Sequence, residues 1–347
     1  MQSQGEFVHL NDKQKGIFNW WQQRVIELES KRLKNQGLLA RHEWWRLAYY
    51  KQPYLLLEDD KDVLERFSDL FTNSLDINHE GKIGINPMME DDARFARLFT
   101  EIIEETNIRG ILHRDSMWEG KEQIQAYFKN GTPLGVEMFK GFEKTKKNWL
   151  LKFSKKEFVD DMYKYGRFRI SPASYYAKGS HIRAVKDLET ARNYRLKAIN
   201  DILKGNSSIE FQGQKIDIKN GVVPIELSMN DYYLFCTCKE INRRMPTDFE
   251  ADSVLIIKNK KEFIDRIKNE MLISYPDWEF LERNVHYYDP YNDLPTEKNQ
   301  EFHKHLAYAY QKEHRCVLRP KRQTTDTLQA FFIEVGSLAD IAEVVTV

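Results

Sequence analysis

Strand-like segments crowd the C-terminal two-thirds of this chain and are nearly absent from its first hundred residues, and that asymmetry restricts the fold more than any single motif. DYYLFCTC, DSVLIIK, ERNVHYY, AYAYQKEHRCVL and LQAFFIEVG are rich in β-branched and aromatic residues, which suit a pleated, half-buried surface. One clear helix, KKEFIDRIKNEML, lies among them. By contrast, FNWWQQRVIELESKRLKNQGLLARHEWWRLAYY carries apolar residues at three- and four-residue spacing with charges between, so helices are expected from about Asn11 to Leu70. Helices followed by accumulated strands predict an α+β chain: a helical N-terminal region, then a domain with a mixed, mostly antiparallel β-sheet and helices.

Local signals divide the chain further. HEGKIGINPM, residues 79–88, interrupts the helices with a turn and a short alternating run, and MEDDARFARLFTEIIEETN then resumes a helix whose acidic start suits its N-terminus. Gly and Pro punctuate GTPLG at 131–135, which places a boundary between a mainly helical domain, 1–130, for recognition or partner docking, and an α+β domain, 131–347. Beyond it, GVEMFKGF reads as a short strand. SKKEFVDDMYKYG reads as a helix capped by Ser154 and ended by Gly166, and RFRISPASYY as a strand entering a Pro turn. HIRAVKDLETARNYRLKAINDILKG reads as a long helix, and SSIEFQGQKIDI as a hairpin turning at Gln212 and Gly213. There is no internal repeat and no low-complexity segment.

With 347 residues and 41% apolar content, a packed core is within reach. Lys plus Arg equals Asp plus Glu at 53 each, so the net field gives no general attraction to nucleic acid or to an anionic membrane. The first residues lack the basic and apolar regions of a secretory signal, and no apolar run reaches membrane-span length, so cytoplasmic residence without membrane contact is expected. Three cysteines, Cys236, Cys238 and Cys316, are too few for a disulfide framework and fit a reducing compartment.

Alternation along two of the expected strands gathers chemistry. It sets Arg167, Arg169 and Ser171 on one side of RFRISPASYY, and Gln311, Glu313 and Arg315 on one side of YAYQKEHR. Two such strands meeting in a cleft would place a carboxylate beside hydroxyls and guanidinium groups. A Glu so held can bind a ribose hydroxyl and stabilise a sugar cation as a glycosidic bond breaks, and tyrosines after Ser174 could stack on a nicotinamide or a base.

From residue 134 onward the order of elements resembles the ADP-ribosyltransferase fold, above all its DarT-type and related phage-defence toxin branches. The corresponding stretches are VEMFKGF with Lys140, RISPASYY with Ser171, Ser174 and Tyr175, and QKE with Gln311 and Glu313. The resemblance implies NAD as substrate, with Glu313 on the nicotinamide ribose, Gln311 orienting the acceptor or Glu313, and Ser171 or Ser174 positioning the Glu. It further implies Tyr175 and Tyr176 stacked on nicotinamide, and Lys140, Arg167 or Arg169 on the pyrophosphate. A nucleic-acid acceptor, RNA or DNA, and an antitoxin protein partner are the partners it implies.

Two further constellations carry rival functions. Cys236-x-Cys238, His286 and His303-x-His305 are residue types that zinc takes, which would suit a metal-dependent nuclease, although the spacing differs from C-x₂₋₄-C and buried core cysteines are the preferred reading, so no metal is assigned. The lysine cluster EKTKKNWLLKFSKK, 143–156, with Trp149 and Phe153, would suit either a solvated helix face or a nucleic-acid backbone with stacked bases, as in a non-enzymatic binding or scaffold protein. RPKRQ at 319–323 offers a second basic edge. No phosphate-binding glycine loop, dinucleotide fingerprint or G-x-S-x-G is present.

Overall fold

A computed structural model of the chain describes residues 10–86, 93–112, 124–129, 131–142, 145–177, 189–211, 213–296, 298–322 and 327–347. The N-terminal helices form as the periodicity predicts: α1 (Asp12–Lys34), α2 (Arg41–Lys51), α3 (Asp60–Ser74) and α4 (Ala93–Arg109). Asn11 accepts from Gln14 N while Gln14 reaches back to the Asn11 N–H, a reciprocal cap that satisfies two otherwise orphaned donors of α1. A two-stranded hairpin, β1 (Leu75–Ile77) with β2 (Ile83–Ile85), separates α3 from α4.

The main sheet is antiparallel throughout and runs β11–β14–β9–β3–β10–β16. Its strands are β3 (Leu150–Ser154), β9 (Tyr233–Cys238), β10 (Ser253–Ile257), β11 (Trp278–Asn284), β14 (Glu313–Pro320) and β16 (Ala342–Thr346). β4 (Arg167–Pro172) pairs with β15 (Phe331–Glu334) and also reaches β9. The chain is therefore α+β with a mostly antiparallel sheet. Every residue of β10 is buried, as a central strand covered on both faces requires. Helices α5 (Lys156–Tyr165) and α6 (Lys260–Ser274) cover one face through Val159, Phe263, Ile267 and Met271. Outside this sheet lie three further pairs: β5 (Ala191–Lys197) with β8 (Val222–Ser228), β6 (Ser208–Phe211) with β7 (Gln214–Asp217), and β12 (His286–Tyr288), parallel to β13 (His303–His305).

The sheet forks at β9. Beside β14, one edge of β9 is continuously paired. Its other edge is shared: Cys238 pairs with Leu151 of β3, whereas Leu234 and Tyr233 pair with Ser171 and Pro172 of β4. Between them, among the described residues, Phe235 to Thr237 have no strand on that side. The gap is where a cavity opens.

The helical region is not insulated from the sheet domain. Trp21, Tyr49, Tyr54, Leu98 and Ile102 share one core with Ile199, Val222, Tyr291, Leu306 and Ala309. Arg66 of α3 grips Asp289 through both terminal nitrogens, at 2.9 and 3.0 Å. No helix among the described residues is long and apolar enough to cross a membrane.

Five local expectations are corrected. GVEMFKGF is not a strand: Leu134–Met138 is a helical turn, set by Pro133 before it and by Gly135, where a Cβ would lie 1.9 Å from the Arg243 carbonyl oxygen. Ser154 ends β3 rather than capping α5; Asp252 accepts from the Lys156 N–H at 2.6 Å in its place. Gly166 does end α5, in the left-handed conformation at φ 64°. Within EKTKKNWLLKFSKK, residues 150–154 form a strand paired with β10 rather than a helix face.

The long helix expected over 181–205 is replaced by β5 and a short helix at Ile199–Leu203; residues 178–188 lie outside the described residues. Pairing along the whole of ARNYRLK with VVPIELS overrides a helix propensity that is only a weak prior. The hairpin at 208–217 forms around Gly213 at φ 77°, with Gln212 outside the described residues. Finally, AYAYQKEHRCV is not one strand: Leu306–Gln311 is a 3₁₀ helix, Lys312 is left-handed at φ 47°, and extension begins at Glu313. Asn73 of α3 imposes the helix by donating to the Leu306 carbonyl at 2.9 Å and accepting from Tyr310 N at 2.8 Å.

Candidate functional site

The fork encloses a cavity of about 320 Å³. Lys152 and Phe153 of β3, Cys236 and Thr237 of β9, and Tyr176, Glu189, Lys304 and Glu313 are among the residues that line it. Lys152 donates from Nζ to the Cys236 carbonyl at 2.9 Å, which satisfies a backbone acceptor left without a strand neighbour by the fork. Three carboxylates, Glu189, Glu250 and Glu313, thus line one cavity of ligand-binding size.

Glu313 is 5% exposed and its two oxygens have different partners. Lys304 Nζ donates to Oε1 at 2.5 Å, and Arg315 Nε donates to Oε2 at 3.0 Å. The backbone N–H of Glu313 donates to Tyr287 Oη at 2.8 Å. Burial alone would push the Glu313 carboxyl up, but Lys304 and Arg315 outweigh it and hold it below its usual value. The group is ionised at neutral pH.

Glu189, in the same cavity lining, repeats the arrangement. Arg315 donates to its two oxygens at 2.8 and 2.6 Å, and Arg192 adds a third bond at 3.0 Å. Burial raises the Glu189 carboxyl, and Arg315 followed by Arg192 drives it well below the ordinary range. Arg315 therefore bridges two carboxylates through separate edges of one planar fork, a geometry that Lys does not supply. Of the six charged side chains lining the cavity, Lys152, Lys155 and Lys304 balance Glu189, Glu250 and Glu313. Arg192 and Arg315 behind them leave an excess of two positive charges, which favours an anionic ligand.

The expected site residues separate into two sets. Gln311 and Glu313 meet, though not by strand alternation: the left-handed Lys312 between them turns both toward Lys304, whose ammonium also donates to Gln311 Oε1 at 3.0 Å. Tyr176 lines the cavity, with its hydroxyl pushed up by burial and then by Cys236 and Glu189, and a bond to Ser171 opposing the rise. Ser171 is buried at the β4–β9 junction. The others are held elsewhere. Ser174 Oγ donates to Asp231 at 2.6 Å, Arg167 pairs with Glu334, and Arg169 stacks on Tyr175 with its guanidinium carbon 4.5 Å from the ring centroid. Lys140 is exposed in the turn after residues 134–138. β4 and β14 do not form opposing cleft walls, because β9 lies between them.

Comparisons with protein-family models, with curated proteins and with solved structures give no match.

Glu189, Lys304 and Lys152 are the members that sequence reasoning did not find. Glu189 lies inside a segment whose pattern reads as helix, Lys304 sits between the two histidines of HKH, and Lys152 belongs to the lysine-rich run 143–156. Burial of an alternating β3 beside charged neighbours was the available signal for Lys152. For Glu189 and Lys304 only the tertiary pairing with Arg315 and Glu313 reveals a role.

The cysteines are free, and burial followed by Glu313 pushes the Cys236 thiol up to about 12, so it is a protonated wall group and not a thiolate nucleophile. His286 and His303 meet in a T-shaped contact with ring centroids 5.1 Å apart, while His305 caps the 3₁₀ helix by accepting from Ala307 N at 3.2 Å. Among the described residues no three His, Cys, Asp or Glu side chains form a group that could hold a metal ion.

Proposed function

We propose that the chain is an NAD-dependent ADP-ribosyltransferase with a nucleic-acid acceptor, acting in a toxin or phage-defence setting where an antitoxin partner would hold it in check. The observation that carries this reading is an ionised Glu313 fixed from both sides in the wall of the fork cavity. Each carboxylate oxygen has about two lone-pair directions, and each spends one on Lys304 or Arg315. Each oxygen retains capacity to accept a ribose hydroxyl.

The chemistry asked of the site is electrostatic. As the bond from ribose to nicotinamide lengthens, nicotinamide leaves with the bonding pair and positive charge grows on the sugar. A carboxylate already ionised and immobilised stabilises that charge without reorganising. The acceptor then supplies the electron pair for the new bond. Tyr176 offers a planar wall for nicotinamide, and Lys152 and Lys155 take the pyrophosphate role assigned to Lys140, Arg167 and Arg169 on sequence grounds.

Labelled NAD incubated with RNA, single-stranded DNA or duplex DNA tests the proposal. Transfer or nicotinamide release is expected to fall on the order of 10²-fold to 10³-fold in Glu313→Gln, the scale of losing one transition-state contact. Full turnover in that variant sinks the assignment. A non-enzymatic nucleic-acid-binding protein is the second reading, favoured by the ion pair on each oxygen of Glu313, since a structural ion network has the same form. It requires nucleic-acid binding with no NAD turnover in the wild-type chain.

A further inference from the structure

Lysines far apart in the sequence gather behind the sheet. On β14 the side chains of Glu313 and Arg315 serve the cavity, and His314 between them points to the opposite face. His314 Nε2 lies 2.7 Å from Glu282 Oε2, and Lys260 Nζ stands 3.5 Å from the same oxygen; burial followed by Lys260 and Lys239 lowers the imidazole to about 3. Lys312 joins them, because Lys239 N donates to the Lys312 carbonyl at 3.0 Å. Lys261 follows Lys260 at the start of the 15-residue α6. Lys146 and Lys147 arrive on the loop before β3, tied down by Ile241 N to Thr145 Oγ1 at 2.5 Å and by Lys260 N to the Asn148 carbonyl at 3.3 Å.

These six lysines come from four segments, and the carboxylates among them are Glu240, Asp265 and Glu282, with Lys258 beside them neutralised by Glu343. Lys260 and Glu282 stand 3.5 Å apart. The remaining excess of three positive charges is concentrated on one face of a chain that is neutral overall. Lys239 carries the strain of this crowding: burial lowers its ammonium, Glu240 opposes, and Lys312 and Lys260 lower it further. An anion placed among the lysines relieves that repulsion. The face is concave, with a cavity of about 540 Å³ between Asn148, Lys260, Lys261 and Glu282. Lys146 Nζ stands 5.5 Å from the Trp149 ring centroid, and that ring packs edge-on with Phe142.

We propose that this face docks the phosphate backbone of a nucleic acid and leads it to the end of β14 at which Glu313 begins. Repeated phosphates match a cluster of separate ammonium groups. The guidance toward Glu313 rests on the transferase reading above; the binding does not.

Fluorescence anisotropy of the full chain with labelled single-stranded RNA, single-stranded DNA and duplex DNA, over a salt series, decides the matter. Lys260→Ala/Lys312→Ala is compared with wild type and with Lys82→Ala on the β1–β2 hairpin. The double variant is expected to reduce the slope of log affinity against log salt by about 1.4 on a single strand, and affinity at 0.1 M salt by on the order of 10-fold. An unchanged slope, an equal loss in Lys82→Ala, or absence of salt-dependent binding by the wild type overturns the proposal. So does equal competition by polyglutamate, which would assign the face to an acidic protein. NAD turnover is measured in parallel with and without nucleic acid: lysine-dependent binding with no turnover in either leaves this surface standing and removes the transferase, and turnover without binding does the reverse.

Discussion

Replacing Lys304 with Met tests whether Glu313 is held ionised by its partners. The substitution keeps much of the side-chain volume and removes the largest favourable contribution to the ionised Glu313. Lys304 is 4% exposed and Glu313 5%, so the charge left behind is not rescued by solvent. Breaking such a buried pair costs about 3–5 kcal/mol, and the lost bond to Gln311 contributes about 1 kcal/mol of that loss.

The pH dependence has a defined sign. In the wild type the Glu313 carboxyl sits below its unfolded value near 4.5, so its stabilisation is present above that value and is lost as pH falls through the depressed folded value. Without Lys304 the folded value rises, and the penalty is greatest at neutral pH and shrinks as the carboxyl takes up a proton. Urea unfolding at pH 7 and pH 4.5 measures both. Adding Glu313→Gln to Lys304→Met is expected to recover stability at pH 7, because no charge then remains unpaired. A deficit under about 1 kcal/mol, a deficit independent of pH, or no recovery in the double variant would refute the reasoning.

Gly135→Ala drives a Cβ to 1.9 Å from the Arg243 carbonyl oxygen and is expected to lower the thermal midpoint sharply, whereas Gly16→Ala, in α1 with nothing within 4 Å, is expected to stabilise by about 1 kcal/mol. Burial raises the Glu58 carboxyl to about 7 although Arg195 opposes it; stability is therefore expected to fall as pH rises from 4.5 toward 7, and Glu58→Gln to flatten that slope in denaturation series. Under the transferase reading, Lys152→Met is expected to raise KM for NAD, while Lys140→Ala and Arg169→Ala leave it unchanged in steady-state assays. A KM shift in the latter pair returns the pyrophosphate role to them.

The sequence by itself determined where helices and strands segregate. Apolar periodicity in α1 to α4, the β-branched and aromatic run of β10 and the turn at Gly166 are local signals whose physics lies within a few residues. It also singled out Gln311 and Glu313, but for a reason that the fold replaces: a shared strand face became a 3₁₀ helix clamped by Asn73, some two hundred residues earlier in the chain. Tertiary structure alone decided the rest. ARNYRLK is a strand because VVPIELS lies beside it, and Glu189 matters because Arg315 reaches it. The fork that opens the cavity exists because β3 and β4 divide one edge of β9. Hydrogen-bonded partners and buried charges act across space, so their identity is written in no window of the sequence.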